Sequence, residues 1–160
     1  MALSIQELIV QQVVVALEQI LAANGWQNTI ASVQRLNQEG VDLASVPTIL
    51  VKEGETTAEL GNSIAPMIRR RMELFLVAVT RQDETASSSD TRSGGEQLNS
   101  LMADIDMTMQ SDRTWGGLAI TTDPPNYVEV DMDAVSPHLA RAVRCEIVFE
   151  HIRNNPYAQT

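Results

Sequence analysis

The sequence predicts an α+β fold, a single domain spanning residues 1–160 in which two main helices pack on a mixed, mostly antiparallel β-sheet. Three observations carry this expectation. Two capping boxes each open a run of apolar residues at helical spacing. Several β-branched and alternating runs lie between and after them. The 160 residues suffice for one sizeable core and not for two.

The first helix is predicted over residues 4–23. Ser4 and Glu7 form the capping box, and Ile5, Leu8, Ile9, Val13, Ala16 and Ile20 recur at helical spacing. Val10, Val14, Leu17 and Leu21 widen that stripe, so a sheet is expected beneath it, while Glu7, Gln11, Gln12, Glu18 and Gln19 form the wet side. Asn24-Gly25 tolerates left-handed geometry and ends the helix. Strands are predicted at Thr29 to Leu36, Thr48 to Glu53 and Arg70 to Thr80, with Gly40, Pro47, Gly54, Gly61 and Pro66 in the connections. Between Met72 and Val79 both faces are apolar, the pattern of a strand covered on both sides; this chain's helices would cover one face and a neighbouring subunit the other.

Residues 82–95 offer almost nothing to bury and read as a flexible loop; Asp83, Glu84, Asp90 and Arg92 are its candidate docking charges. A second helix follows, capped by Ser93 and Glu96, with Leu98, Leu101, Met102, Ile105 and Met109 on one face up to about Ser111. The last third reads as strands at Leu118 to Thr121, Tyr127 to Asp133 and Ala142 to Ile152. In the final strand Val143, Cys145, Ile147 and Phe149 alternate with Arg144, Glu146, Val148 and Glu150, one face core and the other mostly wet. Residues 153–160 are expected to leave the domain as an extended tail after Pro156.

Charge and composition exclude several functions. Twenty-one acidic residues against 11 basic ones give a net charge of -10, which opposes tight binding to a phosphate backbone. No apolar stretch approaches the roughly 20 residues that cross a bilayer, and Met1 to Leu21 reads as an amphipathic helix and not as a signal peptide, so synthesis in a cytosol is expected. The single cysteine, Cys145, cannot form an internal disulfide and suits a buried strand position.

Catalytic chemistry has little to stand on. His138 and His151 lack neighbours at metal-ligand spacing and read as surface residues. Asp104 and Asp106 are two apart on a helix and point apart; Asp131 and Asp133 share one strand face, which solvation explains. A small metal-dependent enzyme built on Asp131, Asp133 and His138 is the rival reading. Neither Gly94-Gly95 nor Gly116-Gly117 has phosphate-loop spacing. Trp26 and Trp115 read as core fillers or loop anchors. Arg69, Arg70 and Arg71 stand out in so acidic a chain, as interface charges for a partner's carboxylates or phosphates, or as a charged strand end that discourages edge pairing.

The segment Asp112-Arg113-Thr114-Trp115-Gly116-Gly117-Leu118-Ala119 resembles a motif of the tail terminator (tail completion) proteins of long-tailed bacteriophages, in which a helix ends in aspartate, any residue, threonine, a hydrophobic residue and Gly-Gly-Leu-Ala. Trp115 is bulkier than the family's usual leucine. The acidic strand at Tyr127 to Asp133, the closing Asn155-Pro156-Tyr157 and the order helix, strands, loop, helix, strands extend the similarity over nearly the whole chain. Read without the family, the motif is architecture: Asp112 closes the helix and Gly116-Gly117 open a backbone path to Leu118.

The resemblance implies a structural virion protein, not an enzyme, with no cofactor. It would form a hexameric ring at the head-proximal end of the tail, cap the last ring of tail tube protein, stop polymerisation and offer its opposite surface to the head connector or head-closure protein, while DNA passes through the lumen unbound. Asp112, Thr114, Trp115, Gly116, Gly117 and Leu118 would then be candidate subunit or tube contacts, and the 82–95 loop would order on docking. Another neck component, a head-closure or connector protein, is the nearest alternative.

Overall fold

Ser4 ends an extended approach and its hydroxyl accepts the Glu7 N–H at 3.2 Å, so helix α1 begins at Ile5 and runs Ile5–Glu18. The return half of the expected capping box is absent. The Glu7 carboxylate lies 2.7 Å from the Arg35 guanidinium, a stronger partner than a backbone amide. The helix also stops short of residue 23. Thr29 Oγ1 accepts the Ala22 N–H at 2.9 Å and Asn24 Nδ2 donates to the Gln19 carbonyl at 3.1 Å, so side chains take up the backbone groups that another helical turn would use. A short 3-10 turn, Ala22–Asn24, follows and closes on Gly25 at φ 89°. The computed structural model describes residues 2–36, 40–59, 66–81, 93–130 and 138–159.

Among these residues six strands form one mixed sheet: β1 Ser32–Arg35, β2 Thr48–Ala58, β3 Met67–Arg81, β4 Thr121–Thr122, β5 Asn126–Val128 and β6 His138–Ile152. The order is β1-β2-β3-β6-β4, with β5 also on β6; β1 and β2 run parallel and the other pairs named here antiparallel. The α+β class and the mostly antiparallel sheet therefore stand as expected. Helix α2, Gly94–Ser111, packs with α1 on one face. Its capping box is complete: Glu96 N–H donates to Ser93 Oγ at 3.2 Å and Ser93 N–H to Glu96 Oε2 at 2.7 Å.

The core lies between that helical layer and the sheet. Register pairs Met72 with Ile147, Leu74 with Cys145 and Leu76 with Val143, which puts three buried rows on the helical face. Leu98, Leu101, Met102, Ile105 and Met109 of α2 meet them, with Ile9, Val13 and Leu17 of α1. Each fully buried side chain of this size contributes about 1.5–3 kcal/mol, and Leu101→Ala, which leaves a cavity, is expected to cost about 2–5 kcal/mol.

The opposite face is not an apolar surface awaiting a second layer along its whole length. Toward one end Leu36, Leu43 and Val46, from the connection that carries the chain between the parallel strands, cover Leu50, Val79 and Ala140. Further along, the same face carries Glu73, Arg71 and Arg69 on β3 beside Glu146 and Glu150 on β6, all half-buried. Phe75 lies between the two regions, over Gly54: a Cβ at that glycine would fall 2.8 Å from the Phe75 ring, so the close approach requires the bare backbone.

Other boundaries moved. Of the loop expected at 82–95, residues 82–92 lie outside the described residues, and Ser93, Gly94 and Gly95 already form the cap and first turn of α2. The strand expected at Leu118 to Thr121 is a turn followed by β4, and β5 ends at Val128, with 131–133 outside the described residues. The C-terminal residues do not leave as an extended tail. Asn154, at φ 65°, helps turn the chain, Ile152 N–H donates to the Ala158 carbonyl at 2.8 Å, and Ile5 N–H donates to the Pro156 carbonyl at 3.0 Å.

Candidate functional site

Helix α2 ends at Asp112, and the next residues fold into a left-handed turn: φ is 50° at Trp115, 69° at Gly116 and 86° at Gly117. Successive left-handed residues turn their N–H groups to one side, a concavity that binds anions. The anion here is the chain's own. Asp112 accepts the N–H groups of Gly116 at 2.8 Å and Thr114 at 3.0 Å and the Thr114 hydroxyl at 2.9 Å. Those backbone donors, Gly116 first, hold its carboxyl below the usual aspartate range.

A non-glycine residue in left-handed geometry needs compensation, and Trp115 has it. Its indole is buried in the core, and Nε1 donates to Thr122 Oγ1 at 2.8 Å; that hydroxyl donates to the Arg113 carbonyl at 3.0 Å. Leu118 is half-buried against the core, and its carbonyl accepts from Gln159 Nε2. The residues singled out from Asp112 to Leu118 thus come together as one self-satisfied turn between α2 and β4.

Alternation on β3 splits the arginine triplet between the two faces. Arg69 pairs with Glu150 at 2.8 Å on the outer face. Arg71 meets Glu59 and Asp123, each at 2.8 Å, and Glu146 at 3.5 Å. Its hydrogen bonds to Glu59 and then Asp123 hold it more firmly protonated. Arg144 continues the ladder to Glu73 and, at 3.1 Å, to Glu146. Asp123 follows β4, so this ladder and the Asp112 turn share one stretch of chain.

Arg70 points the other way, toward the helices. Its Nε donates to His151 Nε2 at 2.8 Å, and His151 Nδ1 is 2.8 Å from the Ile152 carbonyl. A guanidinium only donates, so Nε2 accepts and the ring proton sits on Nδ1. His151 is 4% exposed, a correction to its reading as a surface residue. Its position continues the core-facing series Val143, Cys145, Ile147, Phe149, and that periodicity was the available signal. Asp104, read only as a poor cation ligand, is also buried: Asn28 donates to it from Nδ2 at 2.6 Å and from the backbone at 3.1 Å. It stands on the stripe with Leu101, Ile105 and Thr108, which helical spacing reveals.

Asp83, Glu84, Asp90 and Arg92, like Asp131 and Asp133, lie outside the described residues. His138 Nε2 is 3.2 Å from the Leu43 carbonyl. Among the described residues no three His, Cys, Asp or Glu side chains gather as a metal site, and burial pushes the Cys145 thiol up to about 12. No helix of the described residues is long and apolar enough to cross a membrane.

A feature that sequence reasoning missed is an open cleft of about 570 Å³ between α2 and the β5–β6 edge. Leu98, Met102 and Leu139 form its apolar floor, while exposed Asn99, Tyr127 and Arg141 line its rim. These residues come from three elements, and only the tertiary fold gathers them. Aromatic, Met and Arg side chains of this kind are enriched at protein interfaces. No protein-family model matches the chain, and no curated protein matches it significantly.

Proposed function

We propose that this chain is a structural subunit of a bacteriophage tail, a tail terminator that closes into a hexameric ring on the end of the tube, stops its polymerisation and presents a surface for head attachment. The observation that carries the reading is the Asp112–Ala119 segment. Its residues resemble the family's motif, and they form a closed turn that sets how α2 passes into the edge strands of the sheet. In this reading the turn acts by holding shape, because its donors are already occupied by Asp112. The half-buried, ion-paired outer face of the sheet is a surface for protein contacts, and the chain's net charge of -10 lets DNA pass without adhering. The role is not enzymatic, and its place is the head-proximal end of the tail in a virion assembled in the host cytoplasm.

The test is tube growth. Purified chain added to polymerising tube protein should arrest elongation at substoichiometric ratios, with a ring visible at one tube end by electron microscopy. Unchanged tube lengths and bare ends at saturating chain would reject the reading, and binding to the connector alone would move it to another neck position.

A further inference from the structure

Two sheet edges that stand open among the described residues each carry one cation and one anion. β1 pairs only with Thr48 to Val51 of β2, so the rest of β2, from Lys52 to Ala58, has no strand beyond it among the described residues. Exposed Lys52 and Glu55 stand on that edge and form no ion pair among the described residues. At the opposite edge β5 pairs on one side with β6 and on the other borders the α2 cleft. Arg141, on β6 one strand in from β5, lines that cleft and donates to the neutral Asn99 carboxamide at 2.7 Å, and exposed Glu129 lines it as well. One edge therefore offers a cation and an anion, and the other offers an anion and a cation.

On the ring reading above, on which this inference rests, we propose that the occupant of the cleft is a second copy of the chain: the open edge of β2 docks along β5 of the next copy, with Glu55 on Arg141 and Lys52 facing Glu129. The two surfaces differ, so the contact is head-to-tail, the kind that closes into a ring. Open strand edges supply backbone donors and acceptors, the apolar floor and Tyr127 supply burial, and the charges set register. Sequence proximity does not reveal the pairing, because Glu55 and Arg141 lie on opposite sides of the sheet.

Charge exchange tests it. Wild-type protein at low salt should form a closed ring by light scattering. Glu55→Arg and Arg141→Glu should each weaken assembly by about tenfold or more, with unchanged melting because both positions are exposed. A one-to-one mixture of the two variants should restore assembly, since in an alternating ring each copy presents the complement of the next. A folding defect would not be rescued by mixing; should a reversal misfold, Glu55→Gln and Arg141→Gln should each weaken assembly without adding a repulsive charge, and assembly equal to wild type in both would overturn the contact. Wild-type rings with variants that assemble equally well would overturn this contact and leave the ring reading standing. A wild-type monomer at every concentration, alone and with tube ends, would overturn both.

Discussion

Removing the Asp104 carboxylate should cost more than any other single polar change in the helical layer. Asp104 is 2% exposed and receives two hydrogen bonds from Asn28, itself 2% exposed, at 3.1 Å from the backbone and 2.6 Å from Nδ2. A hydrogen bond to a charged group contributes about 1.5–3 kcal/mol. Asn28 Nδ2 retains Ser100 Oγ at 3.1 Å, so the loss is not complete on that side. Asp104→Ala should therefore destabilise by about 3–5 kcal/mol, which lowers the melting temperature by roughly 10 °C for a chain of this size. Urea unfolding followed by far-UV circular dichroism measures it directly. Asn28→Ala should cost about as much, because it leaves the carboxylate buried with fewer donors, and the double variant should cost about 2 kcal/mol less than the sum of the singles. Asp104→Asn, which keeps one acceptor oxygen, should cost only about 1 kcal/mol. An Asp104→Ala variant within about 1 kcal/mol of wild type, or strictly additive singles, would refute the reasoning.

Two glycines should respond in opposite directions to alanine. Gly117, at φ 86°, should lose about 1–2 kcal/mol by strain alone, whereas Gly95, in the first turn of α2 with open space around its Cβ position, should gain about 0.5 kcal/mol; both are read by chemical denaturation. Acid should weaken the fold through Glu7 and Asp112. Arg35 holds the Glu7 carboxyl below the usual range, and the Gly116 and Thr114 N–H groups do the same for Asp112. A depressed folded value means stability that is present above the ordinary carboxylate range, about pH 4, and lost as pH falls through the folded value. Melting temperatures taken from pH 6 down to 2 should show that fall diminished in Glu7→Gln and Asp112→Asn. Cys145, buried with its thiol pushed up to about 12, should resist a maleimide at neutral pH until denaturant exposes it; rapid labelling of native protein would contradict its place in the core.

Much of the fold was legible in local patterns. Helical spacing and Ser93-Glu96 located α2 to within a residue, and alternation from Val143 to Phe149 assigned the core face of β6 correctly, because both are periodicities that neighbours in sequence impose. The same alternation would have placed Arg70 and His151 inside, and a helical wheel would have placed Asp104 there; residue type hid them, since a buried polar side chain is tolerable only with a partner that sequence does not show. Glu7 gave up its cap for Arg35 of β1, and one end of the outer face of β3 took its cover from the loop before β2, both through contacts between residues far apart in sequence.

What the sequence determined by itself was the α+β class, the apolar core stripes of the main elements and the end of α2 at Asp112, all consequences of short-range periodicity and backbone stereochemistry. Only the tertiary structure decided which ends of the sheet remain open, how the arginine triplet divides between two faces, and that Arg141 borders a cleft while Glu55 stands on the opposite edge. Those facts depend on strand order and register, which are set by the joint packing of residues far apart in the chain.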